Sequence, residues 1–170
     1  MIVLPFDLPP LNAAIIRAAQ ADVPILENPP LSNRSPEIDA MCQQFGVPLG
    51  SYWCALWAAK CWTEAGAEIP PTEGDSHPAK AESWHLWSLK TLRFSAQPIL
   101  GAATLYGNGG HGPADHIGAT LASIHPFLMD FQGNTSGAGF SRNGELATLK
   151  SVDTARLIGY VSPTPLSGDT

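Results

Sequence analysis

The sequence predicts an α+β domain in which N-terminal helices pack on an antiparallel sheet of about five strands. Three observations point there. Segments with helical apolar spacing fill the first half of the chain, and short apolar or alternating segments broken by Gly, Pro and Asn fill the second. Between residues 50 and 65 one helical segment is apolar on nearly every side, as a helix buried against a sheet must be.

The chain has 170 residues, 44% of them hydrophobic and 14% charged, which suits one domain with a real core. Asp and Glu outnumber Lys and Arg by 15 to 9 and no basic run occurs, so the electrostatic footprint that holds a phosphate backbone is missing and nucleic acid is not an expected partner. No apolar run reaches the ~18 residues of a membrane span. The N-terminal MIVLPFDLPPLNAAIIRAAQ lacks a basic region ahead of its apolar residues and is broken by Pro5, Pro9 and Pro10. It does not read as a secretory signal, and synthesis in the cytoplasm is expected.

Taken in order, residues 11 to 20 suit a short helix, and the proline-rich ADVPILENPPLSNRSP reads as an extended connector. Ser35 is placed to cap a second helix with Pro36 at its first position; Ile38, Met41, Cys42 and Phe45 keep helical spacing until Gly46 and Pro48 stop it. The apolar helix follows, from Gly50 or Ser51 to about Ala65, with Gly66 just past its end. A loop over residues 70–78 leads to a helix from Ala79 to Leu89. ILGAATLY, HIGATLASI, PFLMDF, GELATLKSV and ARLIGYVS then supply the strands. The expected layout is an N-terminal helix and connector over 1–32, a main domain over 33–162 and a tail over 163–170.

Three cysteines are an odd count, and Cys54 and Cys61 on one helix lie roughly 10 Å apart, beyond disulfide reach. Thiols are expected. Cys54 falls in the first turn of the apolar helix, where unpaired N–H groups and the positive end of the helix dipole favour thiolate. Cys42 and Cys61 read as packing.

A nucleophilic thiol needs a histidine to take and return its proton. His77 lies in a polar loop, His85 in an aromatic-rich helix, His111 in the glycine-rich NGGHGP turn and His125 beside Pro126 in a turn. His116 stands at the start of the strand in ADHIGAT, where alternation buries Ile117 one way and aims His116 the other. An amide or carboxylate must then orient the imidazole. Asp130, Gln132 and Asn134 follow at period two in MDFQGNTSG. Asp130 is further from the strand's end and reads as solvated, which leaves Gln132 and Asn134. The alternative is that GNTSG is only a hairpin turn whose Asn accepts a left-handed backbone.

NRSPEIDAMCQQFGVPLGSYWCALWAAKCWTEAG, then DHIGAT, then QGNTSGAG resemble the CHAP family, cysteine, histidine-dependent amidohydrolases/peptidases that cut peptidoglycan in bacteria and phages. The resemblance runs from about Asn33 to Tyr160. It implies a papain-like fold, with Cys54 as nucleophile, His116 as general base and later acid, and the orienting group within Gln132-Gly133-Asn134. Family members often carry Glu where this chain has Gln132. An amide there can accept a hydrogen bond but cannot stabilise an imidazolium by charge, so either Asn134 takes the role or activity is reduced. The acidic calcium-binding stretch of some members is not visible ahead of Cys54, and no metal or cofactor is implied.

The implied function is amidase or endopeptidase action on peptidoglycan peptides through a thioester. Two other readings stay open: a weak or inactive CHAP-like binding or structural module of a phage particle or secretion system, and a papain-like acyltransferase or deamidase acting on a non-wall substrate. Spacing gives zinc little support, with no C-x-x-C pair and no H-E-x-x-H. Trp53, Trp57, Trp84 and Trp87 read either as core or as the lining of a substrate groove. Reaching the wall would require lysis, a phage particle or specialised secretion, and an immunity or delivery partner is left open.

Overall fold

The computed structural model describes residues 7–108, 111–124, 127–135 and 146–166. Helix α1 (Pro10–Ala21) starts with Pro10 at its first position, where a missing N–H costs nothing, and buries Ile15, Ile16 and Ala19 completely. In α2 (Pro36–Gln44) the Ser35 hydroxyl accepts the Ile38 N–H at 3.2 Å, as the sequence predicts. Gly46, at φ +67°, lets the chain turn off the helix while the Val47 N–H closes onto the Cys42 carbonyl at 2.9 Å.

Helix α3 (Cys54–Glu64) buries eight of its eleven residues. It begins at Cys54 itself, a few residues later than the Gly50 or Ser51 start expected. Its one mid-helix charge, Lys60, is held by Asp22 at 2.6 Å and Glu64 at 2.8 Å. Helix α4 (Ala81–Lys90) follows the polar loop.

Six strands, β1 (Phe94–Ser95), β2 (Ala103–Asn108), β3 (His111–Ile124), β4 (Phe127–Thr135), β5 (Leu146–Ser151) and β6 (Leu157–Val161), form one sheet in the order β1-β6-β2-β3-β4-β5. All pairings are antiparallel. The chain is therefore α+β, with one strand more than the five expected. The addition is β1, a two-residue edge strand too short to show alternation. Strand β3 is longer than expected: His111 pairs with Asn108 rather than standing in a turn, so His116 sits inside the strand and not at its start. The His125-Pro126 turn, the side chain of His111 and the segment from Ser136 to Glu145 lie outside what is described.

One sheet face carries Leu105, Ile117, Ala119, Phe131 and Val161 into a core shared with α1, α2 and α3. Burial of Leu105, Ile117, Phe131 and Val161 contributes about 1.5–3 kcal/mol each. Helix α3 lies close on the strands: a Cβ on Gly133 would fall 2.8 Å from both Trp53 and Trp57, and the Trp62 indole donates to the Ala119 carbonyl at 3.1 Å. That close seat brings the N-terminal end of α3 to β3 and β4. Among the described residues no helix is long and apolar enough to cross a membrane.

Candidate active site

A cavity of about 330 Å³ is lined by Tyr52, Cys54, residues 79–82 ahead of and within α4, residues 114–116 of β3, and Asn134 of β4. It brings Cys54, His116 and Asn134 to one place.

Cys54 is the first residue of α3, and no side chain caps that helix end. The N–H groups of the first turn and the positive end of the dipole thus stand at the thiol. Cys54 keeps 8% exposure, whereas Cys42 and Cys61 keep none. Burial pushes the Cys42 thiol up and the Cys61 thiol well above the ordinary range, so both are poor thiolates. No cysteine forms a disulfide.

His116 lies opposite Tyr106 in the β2–β3 register, with the two rings 5.9 Å apart, while its neighbour Ile117 enters the core. Its Nε2 is 3.2 Å from Gln132 Oε1. A carbonyl oxygen only accepts, so Nε2 carries the hydrogen and Nδ1 keeps its lone pair. Burial brings the His116 pKa down to about 4 against the opposing pull of the Gln132 hydrogen bond. The resting ring is neutral, as a general base must be.

The Gln132 amide is itself fixed. Its Nε2 donates to Asp130 Oδ1 at 2.9 Å and to the Tyr106 hydroxyl at 3.4 Å, which leaves its carbonyl for His116. The Tyr106 hydroxyl donates to Asp130 Oδ2 at 2.8 Å. Asp130 was expected to be solvated and instead has no exposure at all. Burial lifts its pKa to about 7, with the Gln132 and Tyr106 hydrogen bonds pulling it down. The sequence pattern places Asp130 on the same strand face as Gln132 but cannot show that β2 and β3 cover it.

Of the two orienting groups left open, Gln132 makes the ring contact. Asn134 stands at the cavity wall at φ +53°, where β4 loses register with β5 between Gln132 and Thr135. Its buried Oδ1 has no hydrogen-bond partner among the described residues. The left-handed backbone expected of a turn Asn is therefore present, inside a strand.

The other features sort themselves by contact. His77 Nδ1 accepts the Ala79 N–H at 3.0 Å, and His85 packs on Phe94 with ring centroids 5.5 Å apart. Trp53, Trp57 and Trp84 are fully buried, with indoles donating to Glu27, Asp22 and the Pro78 carbonyl, so they are core and not groove. Trp87 is half-buried beneath the Arg93 guanidinium. At the cavity, Glu82 accepts the Ala114 N–H at 2.6 Å and Asp115 pairs with Arg156 at 2.7 Å, while Tyr52 remains 54% exposed. Among the described residues no three His, Cys, Asp or Glu side chains gather to hold a metal ion.

Comparison of the chain with protein-family models, with curated proteins and with solved structures finds no match.

Proposed function

We propose that the protein is a cysteine hydrolase that cleaves amide bonds of bacterial peptidoglycan peptides. The observation that carries this reading is the meeting of Cys54 and His116 on one cavity, with Gln132 holding His116 in the tautomer whose Nδ1 can accept a proton. A thiol at a helix N-terminus and an imidazole on an adjoining strand are the parts that papain-like acyl transfer uses. The choice of substrate comes from the CHAP-like motifs around these residues.

In the proposed reaction the Cys54 Sγ–H proton passes to His116 as Sγ bonds the amide carbonyl carbon, giving a tetrahedral oxyanion. The Cys54 N–H at the start of α3 is placed to donate to that oxygen. The C–N bond then breaks, His116 gives its proton to the departing amine, and a thioester remains. Water, deprotonated by His116, adds to the thioester; the C–S bond breaks and the thiol regains its proton.

Digestion of purified sacculi followed by mass spectrometry of the muropeptides tests this. New amine and carboxyl termini are expected with the native protein and none with Cys54→Ala, while Cys42→Ala keeps the activity. Intact sacculi with the native protein, or equal digestion by Cys54→Ala, would overturn it.

A further inference from the structure

Taking Cys54 and His116 as the working pair proposed above, we infer that Asp130, clamped by Tyr106, is a positioning residue that acts on His116 through Gln132. It holds the Gln132 carbonyl toward the ring, and it supplies through the amide the negative charge that Gln132 lacks.

The hydrogen-bond directions carry the first half of this. Once ionised, the Asp130 carboxylate only accepts, so above its titration near pH 7 it obliges Gln132 to present its NH2 group at 2.9 Å and Tyr106 to present its hydroxyl at 2.8 Å. The Gln132 carbonyl is then the group left to face His116 Nε2 at 3.2 Å. Without that anchor the amide can turn over, set its NH2 group against Nε2, and drive the ring hydrogen to Nδ1. A ring with hydrogen on Nδ1 cannot take the thiol proton there, and holding the correct tautomer is what the third member of a catalytic triad does.

The second half follows from burial. His116 is 5% exposed and Asp130 not at all, so an imidazolium formed during the reaction has little water to stabilise it and Asp130 stands one amide away. Of the carboxylates at the cavity, Asp115 is already paired with Arg156 and Glu82 accepts the Ala114 N–H. Lys150 on β5 and the tyrosines 106 and 160 on β2 and β6 also act on Asp130 electrostatically, and Arg156, Asp115 and Lys150 act on His116.

The fold makes room for this carboxylate specifically. Gly118 of β3 pairs with Gln132, and a Cβ there would fall 2.1 Å from Asp130 Oδ2. Any side chain at position 118 would expel Asp130 from its seat.

The test compares the native protein with Asp130→Asn and with the exchange variant Asp130→Asn/Gln132→Glu, which puts the acid against His116 and the amide behind it. Two measurements need no substrate: the 15N resonances of the His116 ring across pH, and the rate of Cys54 alkylation by iodoacetamide. In the native protein the ring is expected with hydrogen on Nε2 and with a titration step near pH 7 reported from Asp130. Asp130→Asn is expected to lose that step, to populate the other tautomer and to slow alkylation roughly tenfold. The exchange variant should regain the Nε2–H tautomer and most of the rate.

A folded Asp130→Asn with native tautomer, pH response and alkylation rate would overturn the inference. So would an exchange variant that folds and shows no recovery. If Asp130→Asn does not fold, Tyr106→Phe, which removes the clamp and keeps the acid, takes its place: the other tautomer and slower alkylation are expected, with the titration step retained. Intact sacculi combined with the expected ring and thiol changes would sink the proposed substrate and leave the positioning role standing.

Discussion

At the scale of single residues, Asp130 and His116 pull stability in opposite directions with pH. Asp130 has its pKa raised by burial from 3.8 to about 7, so its contribution is fully present below pH 3.8 and is lost as pH rises toward 7. His116 has its pKa lowered by burial from 6.5 to about 4, so its contribution is present above pH 6.5 and is lost as pH falls through 4. The two slopes nearly cancel between pH 4 and 6.5. Asp130→Asn removes one of them, and urea unfolding at a series of pH values is expected to show it gaining on the native protein by about 4 kcal/mol between pH 4 and pH 7. A difference independent of pH would show that Asp130 is not a buried acid. Cys54, His116, Gln132 and Asn134 were legible as candidates because each carries a local cue: a helix start, a strand flanked by apolar residues, a period of two. Asp130 had the period and Tyr106 had no cue, because their role depends on a side-chain hydrogen bond that reaches across β3 between residues 24 positions apart in the chain.

Among the elements, the caps and breakers were readable because their chemistry is local. Ser35 and Pro36 start α2 and Gly66 lies just past α3 as their residue types require. Strand β1 and the early start of β3 were not readable: a two-residue strand has no period, and His111-Gly112-Pro113 looks like a turn until β2 lies beside it. The seat of α3 on β4 is the contact that sets Cys54 against the sheet, and it depends on a glycine. Gly133→Ala places a methyl 2.8 Å from Trp53 and Trp57, both fully buried. Destabilisation of about 1–3 kcal/mol is expected from denaturant unfolding, since a packed core resists an added carbon. Native stability in this variant would mean that α3 does not press on β4 as described.

For the whole molecule, the class was legible because helices precede strands and one helix is apolar throughout, and the sheet order was not, because the return of β6 to pair with β2 leaves no mark on either strand. The consequence of that topology is a thiol on a helix and an imidazole on a central strand sharing one cavity, and the account depends on their acting together. The pH dependence of Cys54 alkylation in the native protein and in His116→Ala measures this most directly. The account predicts that Cys54 reacts ahead of Cys42 and Cys61 at neutral pH and that His116→Ala slows it by roughly tenfold or more, with the reaction then waiting for the higher pH of an ordinary thiol. Equal labelling of all three thiols, or a Cys54 rate unchanged by His116→Ala, would contradict it.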